Sequence, residues 1–312
     1  MNQTLLNEML GYLELGVSID QEHFRSGQRA VFFGKSTQDN EVKLAVKYCL
    51  YNETRVARIQ REINILDGIS SNYFPKVHKH IYVTSEIISE IIDSINPKTN
   101  FDQSLRLKTS NIKPFFISIE EFIPNIPWAD ALNGSDKISK IVNILLQTFE
   151  ALSLLWGSKI VHRDLKPPNI LIRPNLSPVI IDLGIAKSLK EGTRDLTNPA
   201  FASPCTPAYA APEQLVPDSE INYKADQFSM GVIAFEALTG EFPYGNYNDI
   251  DLDGLVTNFQ NGRLRNIQEL NQGVSPRLAS FVNKLLNVEP YKRFRHAEAI
   301  LEEIGKIRSE FI

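Results

Sequence analysis

The chain has 312 residues, 43% of them hydrophobic and 22% charged, with 33 basic against 37 acidic side chains and a net charge of −4. That balance argues against wholesale disorder, and against nucleic acid or an anionic membrane as the main partner. The length suits two compact lobes.

The opening segment MNQTLLNEMLGYLELG (1–16) contains Glu8 and Glu14 and no basic run. It reads as a short amphipathic helical extension rather than a secretory leader. No apolar run approaches the roughly 20 residues that span a bilayer. Cys49 and Cys205 stand alone and far apart, as reduced thiols of a cytoplasmic protein would.

The next hundred residues favour strands. FRSGQRAVFFG (24–34) has one glycine, Gly27, between strand-like runs. In EVKLAVKYCL (41–50), Val42, Leu44, Val46 and Tyr48 alternate with Lys43, Ala45, Lys47 and Cys49, the period of a half-buried strand. TRVARIQREINIL (54–66) repeats Val56, Ile59, Ile63 and Leu66 at helical spacing. Glu62 falls at the border of that stripe, where a partly buried carboxylate wants a partner. Residues 84–113 break the rhythm and read as an insertion, its Ile-rich start either helix or hairpin arm. PFFISIEEFIP (114–124) is a strand ended by Pro124.

The second half turns helical. DKISKIVNILLQTFEALSLLWG (136–157) puts Ile138, Ile141, Val142, Leu145, Phe149, Leu152 and Trp156 on one face and stops at Gly157. Further helices are expected around 224–239, 276–287 and 296–309.

Two segments concentrate chemistry. VHRDLKPPNILI (161–172) packs His, Arg, Asp, Lys and Asn together, and VIIDLGIAK (179–187) is an apolar strand delivering Asp182 into a Leu-Gly turn. Taken singly each has an ordinary explanation, since Asp beside Gly is common in turns and a strand lysine such as Lys47 is often just solvated. In this order and spacing they are hard to explain as structure alone.

Together these segments resemble the eukaryotic-type (Hanks-type) serine/threonine protein kinases over roughly residues 17–308. The resemblance implies an α+β, two-lobed fold: a small β-rich N-lobe with one helix (about 17–123, insertion at 84–113) and a larger α-helical C-lobe (about 124–308), leaving a tail at 309–312. It implies transfer of the γ-phosphate of ATP to Ser/Thr hydroxyls of protein substrates, with Mg²⁺ or Mn²⁺, and transient self-association for autophosphorylation. Asp164 would orient the hydroxyl and accept its proton, Asn169 and Asp182 would hold the metal, and Lys166 would neutralise the transferred phosphate. Lys47 would hold the α- and β-phosphates with Glu62 as its ion-pair partner. Ala45 and Val31 would cover the adenine, whose edge would meet backbone at Glu121 and Ile123, and Glu120 would guard the back pocket. Ala211-Pro212-Glu213 would close the activation segment, with Arg293 paired to Glu213. Asp226 would accept backbone N–H groups of the catalytic loop. Arg163 would dock a phosphorylated activation segment, whose candidate residues are Thr193, Thr197 and Ser203; Thr206, before Pro207, is grouped with these regulatory residues and, with Lys166, resembles the serine/threonine class.

The sequence departs from the family at several points. Leu183 stands for the usual phenylalanine, Pro168 makes a Pro-Pro pair, and Cys205 replaces a common glycine. The glycine-rich loop keeps only Gly27, with Arg29 at the third glycine position, so a pseudokinase scaffold is the alternative reading. A small-molecule phosphotransferase of the antibiotic-kinase type fits less well, because those typically have glycine at the Arg163 position and no Ala-Pro-Glu segment.

Overall fold

The computed structural model describes residues 3–26, 29–95, 112–183, 187–188, 206–245 and 249–311. Gly27, Thr193, Thr197, Ser203 and Cys205 lie outside them. The chain divides into two units, Met1–Ser70 with Pro75–Ile123, and Ser71–Phe74 with Pro124–Ile312.

In chain order the first unit contains α1 (Gln3–Tyr12), β1 (Val17–Ser26), β2 (Arg29–Ser36), β3 (Lys43–Leu50), α2 (Glu53–Asp67), β4 (Val77–Val83), α3 (Ser85–Ile95) and β5 (Phe115–Glu121). The strands form one antiparallel sheet in the order β1-β2-β3-β5-β4. Strand β5 pairs on both edges and is buried from Phe115 to Glu120. Gly34 is required where β2 meets β1, since a Cβ there would lie 2.2 Å from the Ser18 carbonyl oxygen.

The pleat sorts side chains by parity. Ala30, Phe32, Leu44, Val46, Tyr48, Ile117 and Ile119 join Leu6, Met9 and Leu10 of α1 and Ile88 and Ile91 of α3 in one apolar cluster. The expected extension is thus part of the core, and Asn7 clips it to β1 by exchanging two hydrogen bonds with the Ile19 backbone. The Ile-rich start of residues 84–113 is the helix α3. On the opposite face, Ile59 and Ile63 of α2 pack against Cys49 and Phe116. The rest of that face presents Val31, Phe33, Ala45, Lys47, Ser118 and Glu120, which stand in register across β2, β3 and β5.

The second unit continues with α4 (Trp128–Ala131), α5 (Lys137–Gly157), β6 (Ile160–Val161), β7 (Ile170–Ile172), β8 (Pro178–Ile180), β9 (Lys187–Ser188), α6 (Lys224–Thr239), α7 (Leu252–Gln260), α8 (Ile267–Leu270), α9 (Pro276–Leu285) and α10 (Ala297–Arg308). Its core helices are α5 and α6. By length and composition α5 could cross a membrane, contrary to the expectation that no run comes near that length, but half of it is buried in the fold. Ile141, Leu145, Phe149 and Leu152 form its inward stripe, as core helices require. Helix α6 is buried along most of its length, its polar Asp226, Gln227 and Ser229 included, and Gly240 ends it in the left-handed conformation at φ 77°. Pro276 opens α9 behind Ser275, whose hydroxyl accepts the Leu278 N–H. The tail is a 3₁₀ turn, Ser309–Phe311, continuing α10.

Candidate active site

In the first unit the site is built on β3. Alternation sends Lys47 to the face shared with α2, where its Nζ lies 3.0 Å from Glu62 Oε1. Glu62 is buried at the border of the α2 stripe, so the ion pair resolves its otherwise costly position. A second carboxylate joins it: Glu120 Oε2 lies 2.7 Å from the same Nζ, with only 4% of the Glu120 side chain exposed. Burial by itself pulls the Lys47 pKa down, but the charges of Glu120 and then Glu62 outweigh it and hold the ammonium well above the ordinary lysine value. Val31 and Ser118 flank Lys47 in register, and Ala45 is one pair further along. At the end of β5 the Glu121 N–H donates to the Lys76 carbonyl at 2.8 Å. Among the described residues, neither backbone polar group of Ile123 is engaged.

In the second unit the loop between β6 and β7 turns sharply, with Arg163 at φ 73°. A single carboxylate holds that shape. Asp226, fully buried on α6, accepts the backbone N–H groups of His162 (3.0 Å) and Arg163 (2.9 Å) and the Trp156 indole N–H (2.9 Å). Burial pushes its carboxyl pKa up, against the pull of these hydrogen bonds. His162, buried, accepts the Asp164 N–H through Nδ1 at 3.3 Å, which makes Nε2 the donor to the Ile181 carbonyl at 3.2 Å. Gln214 donates to the Arg163 carbonyl at 2.8 Å, and its side-chain oxygen accepts the Ala211 N–H. This ties the Ala-Pro-Glu segment to the loop.

Asp164 is thereby presented with both oxygens engaged. Oδ1 accepts the Thr206 N–H (3.0 Å) and hydroxyl (2.9 Å), and Oδ2 accepts Lys166 Nζ (2.7 Å) and Asn169 Nδ2 (3.2 Å). Lys166 also donates to the Thr206 hydroxyl at 2.7 Å. Asn169 donates as well to the Asp164 carbonyl at 2.8 Å, so both its amide hydrogens face Asp164 and its amide oxygen is left as an acceptor. The Asn169 carbonyl accepts the N–H of Ile181, one residue before Asp182, at 2.9 Å. Asp182 itself is left-handed at φ 63°, a conformation that aspartate tolerates better than most residues. An amide oxygen and a carboxylate are the hard donors that Mg²⁺ takes, so the residues present fit that ion.

Farther out, Arg293 and Glu213 meet in a bidentate pair at 2.6 and 2.9 Å. Leu183 is completely buried, as an apolar replacement for phenylalanine should be.

This cluster of Asp, Lys, Asn and Thr around one carboxylate accompanies a protein kinase domain family match over residues 22–303. The chain belongs to the protein kinase family. This kinase domain is 28% identical over 187 residues to a probable serine/threonine-protein kinase of Clostridium acetobutylicum, covering 58% of this chain and 26% of that protein. It is 25% identical over 300 residues to the probable serine/threonine-protein kinase PknB of Lactococcus lactis, covering 92% of this chain and 41% of that protein. Serine/threonine-protein kinase C of Synechocystis is 29% identical over 197 residues, covering 61% of this chain and 34% of that one. The kinase domain therefore spans well under two thirds of the length of these relatives.

Two features of the kinase site are invisible in the linear pattern. The Lys47–Glu120 contact depends on the register between β3 and β5, which period-two alternation does not specify. Thr206, grouped by sequence with the regulatory residues, is bonded directly to Asp164 and Lys166. Its hydroxyl bridges Asp164 Oδ1 and Lys166 Nζ. The only advance signal was its place just before Pro207.

Proposed function

We propose that this kinase domain transfers the γ-phosphoryl group of ATP to serine or threonine hydroxyls of protein substrates. The observation that carries the reading is the Asp164 carboxylate, held by Thr206, Lys166 and Asn169 with each partner oriented by its own hydrogen bonds. The acceptor hydroxyl oxygen attacks the γ-phosphorus, the bond from phosphorus to the ADP oxygen breaks, and the hydroxyl proton passes to Asp164. Lys166 offsets the charge of the phosphoryl group in transit. Lys47 holds the α- and β-phosphates, and Ala45 and Val31 cover the base, whose edge meets the Glu121 carbonyl and Ile123 backbone. Asn169 and Asp182 hold a divalent cation, whose chemistry is neutralisation of phosphate charge.

Three observations support this reading over a scaffold without catalysis. Lys47, Glu62, Asp164, Asn169 and Asp182 are all present, the ion pair of the first two is formed, and Asp164 is pre-oriented. A pure binding module has no chemical need for all five. Protein substrates, autophosphorylation through transient self-association and a cytoplasmic location follow as parts of the same proposal. Phosphorylation within 193–203, with Arg163 as the docking cation, completes it.

The test is ³²P transfer from ATP to the chain itself and to a generic protein acceptor, comparing wild type with Asp164→Asn. The expected result is transfer onto serine and threonine that falls by three orders of magnitude or more, on the order of what removing a catalytic base costs. Equal transfer by both proteins, or none by either, would overturn it.

A further inference from the structure

The two-carboxylate fork on Lys47 carries one further inference, which rests on the reading of Lys47 as the phosphate-holding lysine. An ammonium has three N–H donors. Two point to carboxylates on different elements, Glu62 on α2 at 3.0 Å and Glu120 on β5 at 2.7 Å. Among the described residues no third acceptor engages Lys47, which leaves a donor for a phosphate oxygen.

The two anchors differ mechanically. Glu62 rides on α2, a separate element whose Ile59 and Ile63 pack against Cys49 and Phe116. A helix joined to a sheet by side-chain packing can shift as a body. Glu120 stands on the strand paired with β3 itself, in an unbroken register from Leu44↔Glu121 to Leu50↔Phe115. Its second oxygen accepts the hydroxyl of Ser118 at 2.8 Å, and Ser118 is the residue directly opposite Lys47. Glu120 cannot leave Lys47 without breaking ladder hydrogen bonds or turning a buried carboxylate away from both partners.

We propose that Glu120 is a positioning residue that holds Lys47 in its phosphate-binding orientation independently of α2, so that losing the Glu62 contact alone does not release the lysine. Where a helix carboxylate is the lone partner of the lysine, helix position switches the site on and off. Here that switch is damped, because the sheet supplies a second carboxylate.

The test measures binding of ADP and of adenosine by calorimetry, with kcat and KM for ATP, on the full chain. The variants are Glu62→Gln, Glu120→Gln, the double variant and Lys47→Ala. Each single Glu variant should keep the ADP-over-adenosine preference within about threefold and lose no more than about tenfold in kcat/KM, whereas the double should lose the preference and fall at least tenfold beyond the product of the singles. A merely structural role for Glu120 would weaken ADP and adenosine alike. The proposal is overturned if Glu62→Gln alone abolishes the ADP preference, or if the double equals the product of the singles. Lys47→Ala separates the two levels. If it keeps the ADP preference, the reading of Lys47 fails and the proposal with it. If it loses the preference and Glu62→Gln does too, only the proposal fails. Should circular dichroism show Glu120→Gln misfolded, Glu120→Met, of similar volume and without charge, takes its place under the same criteria.

Discussion

Replacing Arg293 by lysine keeps the charge and removes the geometry. In the folded chain all five N–H donors of the guanidinium are used. Nε reaches the Asn287 carbonyl (2.8 Å), Nη1 reaches Glu213 Oε1 (2.6 Å) and the Lys224 carbonyl (2.7 Å), and Nη2 reaches Glu213 Oε2 (2.9 Å) and the Val288 carbonyl (3.2 Å). The side chain is 0% exposed and lies 5.0 Å above the Phe228 ring. Lysine has three donors on one nitrogen, so at least two of the five acceptors lose their partner with no water to replace it. At roughly 1–3 kcal/mol for each orphaned buried group, the loss is about 3 kcal/mol or somewhat more. For a body of this size that lowers Tm by about 6–12 °C. Glu213→Gln, which keeps the shape but strands a buried guanidinium charge, should cost about 3–5 kcal/mol. Thermal melts followed by circular dichroism at neutral pH read both. An Arg293→Lys protein melting within about 2 °C of wild type would show that the pair is not the clamp its geometry describes.

Thr206→Val should lower kcat by about ten- to a hundredfold with little change in ATP affinity, since it removes one hydroxyl from Asp164 and Lys166, while Thr206→Ser should restore most of the rate. Equal loss in both variants would refute the hydroxyl's role. Leu10→Ala empties a completely buried site on α1 and should cost about 2–5 kcal/mol by denaturant unfolding; a loss below about 1 kcal/mol would mean that α1 is not part of the core. Tyr244 donates to the Leu286 carbonyl at 2.8 Å, and burial, against the opposing charge of Arg293, pushes its phenol from 10.0 up to about 12. The folded pKa lies above the unfolded one, so this contribution to stability is full below pH 10 and is lost as pH rises from 10 to 12. Tyr244→Phe should flatten the fall in stability over that window, and an unchanged slope would sink the assignment. Asp226→Asn turns an amide toward N–H donors that need an acceptor, so it should destabilise the fold and abolish phosphoryl transfer together; a stable, active Asp226→Asn protein would contradict the hub described for that carboxylate.

What was legible in the sequence was local and periodic. Alternation over 41–50 sorted Leu44, Val46 and Tyr48 from Ala45 and Lys47 as the sheet does, because side-chain period follows directly from the pleat. Helical spacing drew the stripes of α2 and α5, and the helices expected around 224–239, 276–287 and 296–309 match α6, α9 and α10 to within a few residues. The charged border residue Glu62 announced a partner before one was visible. What stayed hidden depends on which elements meet. An amphipathic α1 does not say that it docks on the sheet beside α3, because that pairing joins segments some eighty residues apart. Nor does it say that residues 84–113 begin with the helix covering the same face. Glu120 read as a pocket guard, and only the register of β5 beside β3 turned it toward Lys47. Asp164 and Thr206 are 42 positions apart, and their hydrogen bonds depend on how the segment ending in Ala-Pro-Glu is folded back.

The burial of α1 also bears on the order in which the chain can fold as it is made. Leu6, Met9 and Leu10 share their cluster with Ile117 and Ile119, which are synthesised some 110 residues after them. At about 5–20 residues per second the ribosome takes roughly 6–22 s to cover that interval. For that time the apolar face of α1 has no finished sheet to cover it, although it is among the first parts of the domain to be made. The first unit can therefore complete its core only after β5 has been made.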